Sequence, residues 1–161
     1  MPTWDPRTAD ETRALGAALG ALAPAGLVVA LQGDLGAGKT CFSQGVGQGL
    51  GVRGPVTSPT FILLAVHEGG RLPLYHADLY RLGDPSELDE LGLEEVLGSD
   101  GVALVEWADR FPELMPADHV VWDIAFTPQG RRMAARGTGP ASRAALQALC
   151  AQVPPSGQGD G

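Results

Sequence analysis

The residue types best suited to chemistry fall in one run, GDLGAGKT at positions 33–40. It holds the only lysine of a 161-residue chain that otherwise uses ten arginines. The spacing G-x-x-x-x-G-K-[ST] is met by Gly33, Gly38, Lys39 and Thr40. In such a run the glycines let backbone N–H groups turn inward around an anion. The helix that follows offers its unpaired N-terminal amides to the same charge. The amides of Asp34, Gly36, Ala37, Gly38, Lys39, Thr40 and Cys41 are the candidate donors to a nucleotide phosphate chain. Lys39 adds a compact ammonium where a planar guanidinium is bulkier and holds its donors in a fixed fork. Thr40 puts a hydroxyl where Mg²⁺ sits. Lys39 is expected in a solvated loop, with no part in core packing. Guanine-reading members of this class use an N/T-K-x-D motif, which needs a second lysine, so the nucleotide is expected to be ATP.

A magnesium–phosphate site also needs a carboxylate at the end of a neighbouring strand. Glu106, after the apolar run VALV, and Asp78, closing LPLYHAD, both qualify. Either one is a candidate to orient the attacking water. Thr57, Ser58 and Thr60 in VTSPTF lie on a proline-stiffened loop, as γ-phosphate sensors or as turn formers. Trp107 reads equally as core filling or as a partner anchor. Arg131 reads as a hairpin surface charge or as a group on the base or phosphate. His76 reads first as a structural histidine, since no second ligand sits at zinc spacing. Arg81 is a candidate finger.

The elements that must position these groups follow from pattern. Residues 8–23 read as a helix, with Thr8 and Glu11 spaced as a capping box. LVVALQ (27–32) and GVALVEW (101–107) read as strands buried on both faces. Residues 41–51 read as a helix, although the internal glycines of CFSQGVGQGLG lower its propensity. FILLAVHE and LPLYHADLY read as a hairpin. Residues 84–97 read as an acidic helix, with Asp84 or Ser86 at its cap. Two strands are expected around the TPQG turn, then a helix over ASRAALQALCAQV. The expected whole is a single α/β domain over residues 1–153: a P-loop NTPase-like three-layer sandwich, with a central mixed sheet flanked by helices. Residues 154–161 are expected to be disordered.

Bulk properties narrow the partners. A net charge of −8 disfavours a large nucleic-acid footprint, which needs clustered basic side chains. Two cysteines, no apolar run of about 20 residues and no basic, apolar leader point to the cytoplasm, away from membranes.

In one order, GDLGAGKTCF, SPTF, HADLYRL, ELGLEE and VEWADR resemble the TsaE family, the P-loop ATPases of bacterial tRNA threonylcarbamoyladenosine biosynthesis. The likeness runs from about residue 8 to 150. It implies that Thr40 and Glu106 hold Mg²⁺, that SPTF is switch-like, and that Asp78 and Trp107 are needed for activity. It places Gly130 and Arg131 near the nucleotide. It also implies action on a TsaB–TsaD complex, with tRNA met only indirectly and ATP hydrolysis resetting that complex. Cys41 stands where the family commonly has threonine, so a hydroxyl there is lost while its amide remains. A small-molecule P-loop kinase and a nucleotide-gated binding module without hydrolysis are the alternatives.

Overall fold

The computed structural model describes residues 1–33, 38–56, 64–80, 86 and 92–158. Its strands are β1 (Pro2–Trp4), β2 (Val28–Gly33), β3 (Leu64–His67), β4 (Leu74–Asp78), β5 (Val102–Glu106), β6 (Val120–Thr127), β7 (Gly130–Gly137) and β8 (Gly157–Gln158). The helices are α1 (Ala9–Leu22), α2 (Lys39–Leu50), the short α3 (Leu93–Val96) and α4 (Pro140–Gln152). Two 3₁₀ turns, Ala108–Arg110 and Pro112–Leu114, follow β5.

The strands make one sheet among the described residues, in the order β3-β4-β5-β2-β6-β7-β1-β8. The central four, β4, β5, β2 and β6, run parallel, and the outer strands pair antiparallel. This is the expected mixed sheet. β2 and β5 alternate Val28 and Ala30 with Val29 and Leu31, and Ala103 and Val105 with Val102 and Leu104. Each set joins a different core, so both faces are buried, as their unbroken apolar runs require. The core under α1, α2 and α4 holds Leu19, Phe42, Val46, Trp122 and Leu149. The opposite core holds Leu79, Leu93, Phe111 and Leu114.

α1 starts where its cap predicts: the Thr8 hydroxyl accepts from the Glu11 N–H at 3.1 Å. The return half of the capping box shifts by one residue, because the Glu11 carboxylate accepts from the Arg7 N–H instead. The glycines of α2 find their reason in α1. A Cβ on Gly45 would stand 2.1 Å from the Arg13 carbonyl oxygen, and one on Gly49 2.1 Å from that of Ala17. Gly16 and Gly20 of α1 show the reciprocal contacts, 2.4 Å from the Phe42 oxygen and 2.3 Å from the Val46 oxygen. The two helices touch backbone to backbone.

The opening residues, for which the sequence carries no expectation, form β1, and one expectation needs correction. Residues 157–158 pair with β1 as β8, and the Ser156 N–H donates to the Thr3 carbonyl at 2.9 Å. The start of the expected disordered tail is therefore held by the chain's own opening strand. Of the acidic helix expected over 84–97, only α3 and Ser86 are described as helical, and 84–85 and 87–91 lie outside the described residues.

Candidate active site

β2 is the point where strand order reverses, with β5 and β4 reached on one side and β6 on the other. Ligands of open α/β sheets sit in the crevice beyond the carboxyl ends of the strands at such a point. Gly33 ends β2 there, with φ +145°, and a Cβ on it would lie 2.3 Å from the Ile124 carbonyl oxygen of β6. Only glycine lets the chain leave the sheet at this place. Gly38, with φ +109°, is the N-cap of α2 and gives it no side-chain cap. The first amides of α2 thus carry no side-chain oxygen at the N-cap, an arrangement suited to an anion.

Lys39, Thr40 and Cys41 form the first turn of α2. Lys39 is not in a solvated loop. It is 5% exposed, donates from Nζ to the Gly33 carbonyl at 3.1 Å, and sets Nζ 4.3 Å from the centre of the Trp107 ring. The helix begins at Lys39, two residues earlier than the expected start at 41, and this places the lysine stem on the helix rather than in a loop. Trp107 packs against the core that holds Leu79, Phe111 and Leu114 while its ring also faces Lys39. It is half-buried at φ +62°, the single positive-φ residue other than glycine among those described. Its ring also meets Tyr80 at 4.9 Å.

The two acids arrive side by side. Parallel register pairs Asp78 with Glu106 across β4 and β5, and Leu31 with Glu106 across β2 and β5. They are 8% and 3% exposed. Burial pushes the Asp78 carboxyl above its ordinary range and the nearby Glu106 charge adds to this, while the Tyr80 N–H, Lys39 and His76 pull the other way. The Tyr80 bond to Asp78 Oδ1 is 3.0 Å. His76, fully buried one step down β4, stands with Nε2 2.6 Å from Glu106 Oε2. It is the partner of an acid, brought to it by the register of β4 with β5.

Arg131 lies beside Gly38. A Cβ on Gly38 would be 3.5 Å from its Nε, and its guanidinium stacks 4.6 Å from the Phe126 ring. Its neighbour Arg132 turns away to pair with Asp5 at 2.9 Å. The structure thus brings Gly33, Gly38, Lys39, Thr40, Cys41, Asp78, Glu106, Trp107 and Arg131 to one end of the sheet. Asp34, Gly36, Ala37, Thr57, Ser58, Thr60 and Arg81 lie outside the described residues.

The donor set suits a hard divalent cation beside a polyanion. Two desolvated carboxylates on adjacent strand ends gain from a positive charge, and Thr40 adds an oxygen. Among the described residues no three histidine, cysteine or acidic side chains form a metal cage. Mg²⁺ in phosphate sites needs none, since it keeps waters and phosphate oxygens as ligands.

The family model described as "Threonylcarbamoyl adenosine biosynthesis protein TsaE" matches residues 6–134. The chain belongs to the TsaE family. It is 44% identical over 117 residues to the tRNA threonylcarbamoyladenosine biosynthesis protein TsaE of Bacillus subtilis, a match covering 73% of each chain. The protein of the same name from Treponema pallidum is 42% identical over 126 residues, which span 78% of this chain and 93% of that one. The crystal structure of Bacillus subtilis YdiB superposes with a TM-score of 0.82 at 32% identity, covering 93% of this chain and 94% of that one. The P-loop and the two strand-end acids of this TsaE-family chain all fall inside the matched segment.

Proposed function

We propose that this chain is the Mg²⁺-dependent, ATP-hydrolysing component of tRNA threonylcarbamoyladenosine biosynthesis, acting on a TsaB–TsaD complex to support its turnover. The observation that carries the reading is the convergence of Lys39, at the bare N-terminus of α2, with Asp78 and Glu106 at the ends of two adjacent parallel strands. The TsaE family supplies the pathway, and its relatives bear the name of that biosynthesis.

The residues divide the work as follows. The α2 amides and Lys39 receive the phosphate chain, and Lys39 exchanges its contacts with Gly33 and Trp107 for phosphate oxygens. Arg131 and Phe126 border the nucleotide on the β7 side. Glu106 and Thr40 would hold Mg²⁺, which supplies charge neutralisation on the phosphate oxygens. Asp78 orients a water toward the γ-phosphorus. As the water oxygen bonds to phosphorus and the bridging oxygen leaves with ADP, Asp78 takes the water's proton. A carboxyl whose proton affinity is raised by burial suits that task better than an ordinary one. Catalysis is then positional and electrostatic, and a charge supplied by the partner speeds it.

The test is ATP turnover by the purified chain with and without TsaB–TsaD, comparing the native protein with Lys39→Ala. Slow turnover alone, stimulation by the partners and loss of the stimulated rate in the folded variant are expected. Equal rates with and without partners would remove the partner-driven mechanism. A folded Lys39→Ala chain at full stimulated rate would remove the site itself.

A further inference from the structure

We propose that His76 is a positioning residue for Glu106. Its ring fixes one oxygen of that carboxylate and aims the other at the bound cation. The inference rests on the reading of Glu106 as a metal-holding acid. Parallel register sets His76 beside Leu104 and Asp78 beside Glu106, so all four share the sheet face that carries α2. From that place the imidazole reaches diagonally to the neighbouring strand, with Nε2 2.6 Å from Glu106 Oε2. The ring is fully buried and Glu106 nearly so. Neither group can trade this contact for water without opening the core.

The other ring nitrogen explains the direction of the bond. His76 Nδ1 is buried and has no hydrogen-bond partner among the described residues. A ring with one N–H and one lone pair must put the N–H on the side that has an acceptor, because a buried donor left unmade costs more than it gains elsewhere. The acceptor is the carboxylate, so Nε2 donates. With Oε2 committed below, the second oxygen of Glu106 is left for the ion or its water shell. A hydrogen bond that sets the angle of a ligating carboxylate typically governs metal affinity by about 10- to 100-fold.

This arrangement separates His76 from a structural filler. A filler would contribute to stability alone, and any side chain of like volume would replace it. A positioning donor must be replaced by a donor at the same place, which the amide nitrogen of glutamine approximates and leucine does not.

The test is calorimetric titration of ADP into the full chain, in Mg²⁺ and again in EDTA. The readout is the gain in affinity that Mg²⁺ provides. His76→Leu is expected to reduce that gain by about 10-fold or more, to leave the affinity in EDTA unchanged, and to be rescued by His76→Gln to within a few-fold of native. An undiminished gain in His76→Leu, or a His76→Gln chain as impaired as His76→Leu, overturns the inference. If the leucine variant does not fold, His76→Asn takes its place, since its amide is too short to span to Glu106, and the same two outcomes apply. A native protein with no Mg²⁺-dependent gain removes the metal role of Glu106 and this inference with it. A native gain that survives in the variant removes this inference alone.

Discussion

Asp78 shows what the site costs the fold. Its carboxyl is shut from water next to Glu106, and its proton affinity is raised by burial first and by that neighbour second. The folded chain therefore binds the Asp78 proton more readily than the unfolded chain does. Stability from this group is full below the unfolded value of 3.8 and falls as pH rises through the higher folded value. At neutral pH an ionised Asp78 is a burden on the nucleotide-free protein. Asp78→Asn keeps an oxygen for the Tyr80 N–H while removing the charge. Thermal melts of the nucleotide-free chain are expected to give a higher Tm for Asp78→Asn than for native at pH 7, with the gap closing near pH 4, while ATP turnover falls by roughly 100-fold or more. A variant that melts lower than native at neutral pH would show that Asp78 is not under electrostatic strain. Lys39 lies at the same scale: its ammonium rests on a carbonyl and an indole face, neither of them a charged partner.

At the scale of elements, α1 and α2 decide how firmly the phosphate loop is carried, and their seam is made of glycines. Alanine at Gly45 would raise intrinsic helix propensity by up to about 1 kcal/mol. Its Cβ would also meet the Arg13 carbonyl oxygen at 2.1 Å, which backbone cannot yield without parting the helices. Overpacking of this kind costs about 1–3 kcal/mol or more, so Gly45→Ala is expected to lower the denaturant midpoint despite its better propensity. An unchanged or higher midpoint would mean that the seam is loose. The same seam explains what sequence could and could not convey. The strand before GDLGAGKT and the helix that starts at its lysine were legible because motif and apolar run agree. So were the hairpin of β3 and β4, the paired strands β6 and β7, and the position of Asp78 and Glu106 at the ends of apolar strands. The glycines of α2 read as a weakness because propensity is local, whereas their purpose is a contact with a helix 29 residues away (Gly45 against Gly16). β1 was illegible for a like reason. Three residues carry no period, and Pro2–Trp4 becomes a strand only because β7 offers it a free edge. The contact of His76 with Glu106 was not legible, because the two are 30 residues apart and come into reach only through the register of β4 with β5.

For the whole molecule, the sheet divides into a parallel half that carries Asp78 and Glu106 at its end and an antiparallel half that ties the chain together. Trp4 of β1 stacks on Trp122 of β6 with ring centres 5.3 Å apart and planes 7° apart, and its Nε1 donates to the Val153 carbonyl at 2.9 Å. Val153 closes α4, and Ser156 just beyond it bonds to Thr3, so one indole joins the first strand, a central strand and the last helix. Trp4 is 4% exposed, and removing it leaves a large cavity. Loss of such a buried aromatic costs about 3–5 kcal/mol. Trp4→Ala should therefore melt well below native, at a temperature that thermal unfolding by circular dichroism will fix. Its effect on the site should be small. Lys39, Asp78 and Glu106 stand on or beyond β2, β4 and β5, and the route from Trp4 to them crosses Trp122 and Phe42. Sites so separated add within about 0.5 kcal/mol, or roughly twofold in affinity, so calorimetry below the melting point should find Mg²⁺–ADP bound by Trp4→Ala within about twofold of native. A larger loss would mean that the aromatic stack carries strain from the outer strands to α2, and that the two halves of the sheet are one mechanical unit.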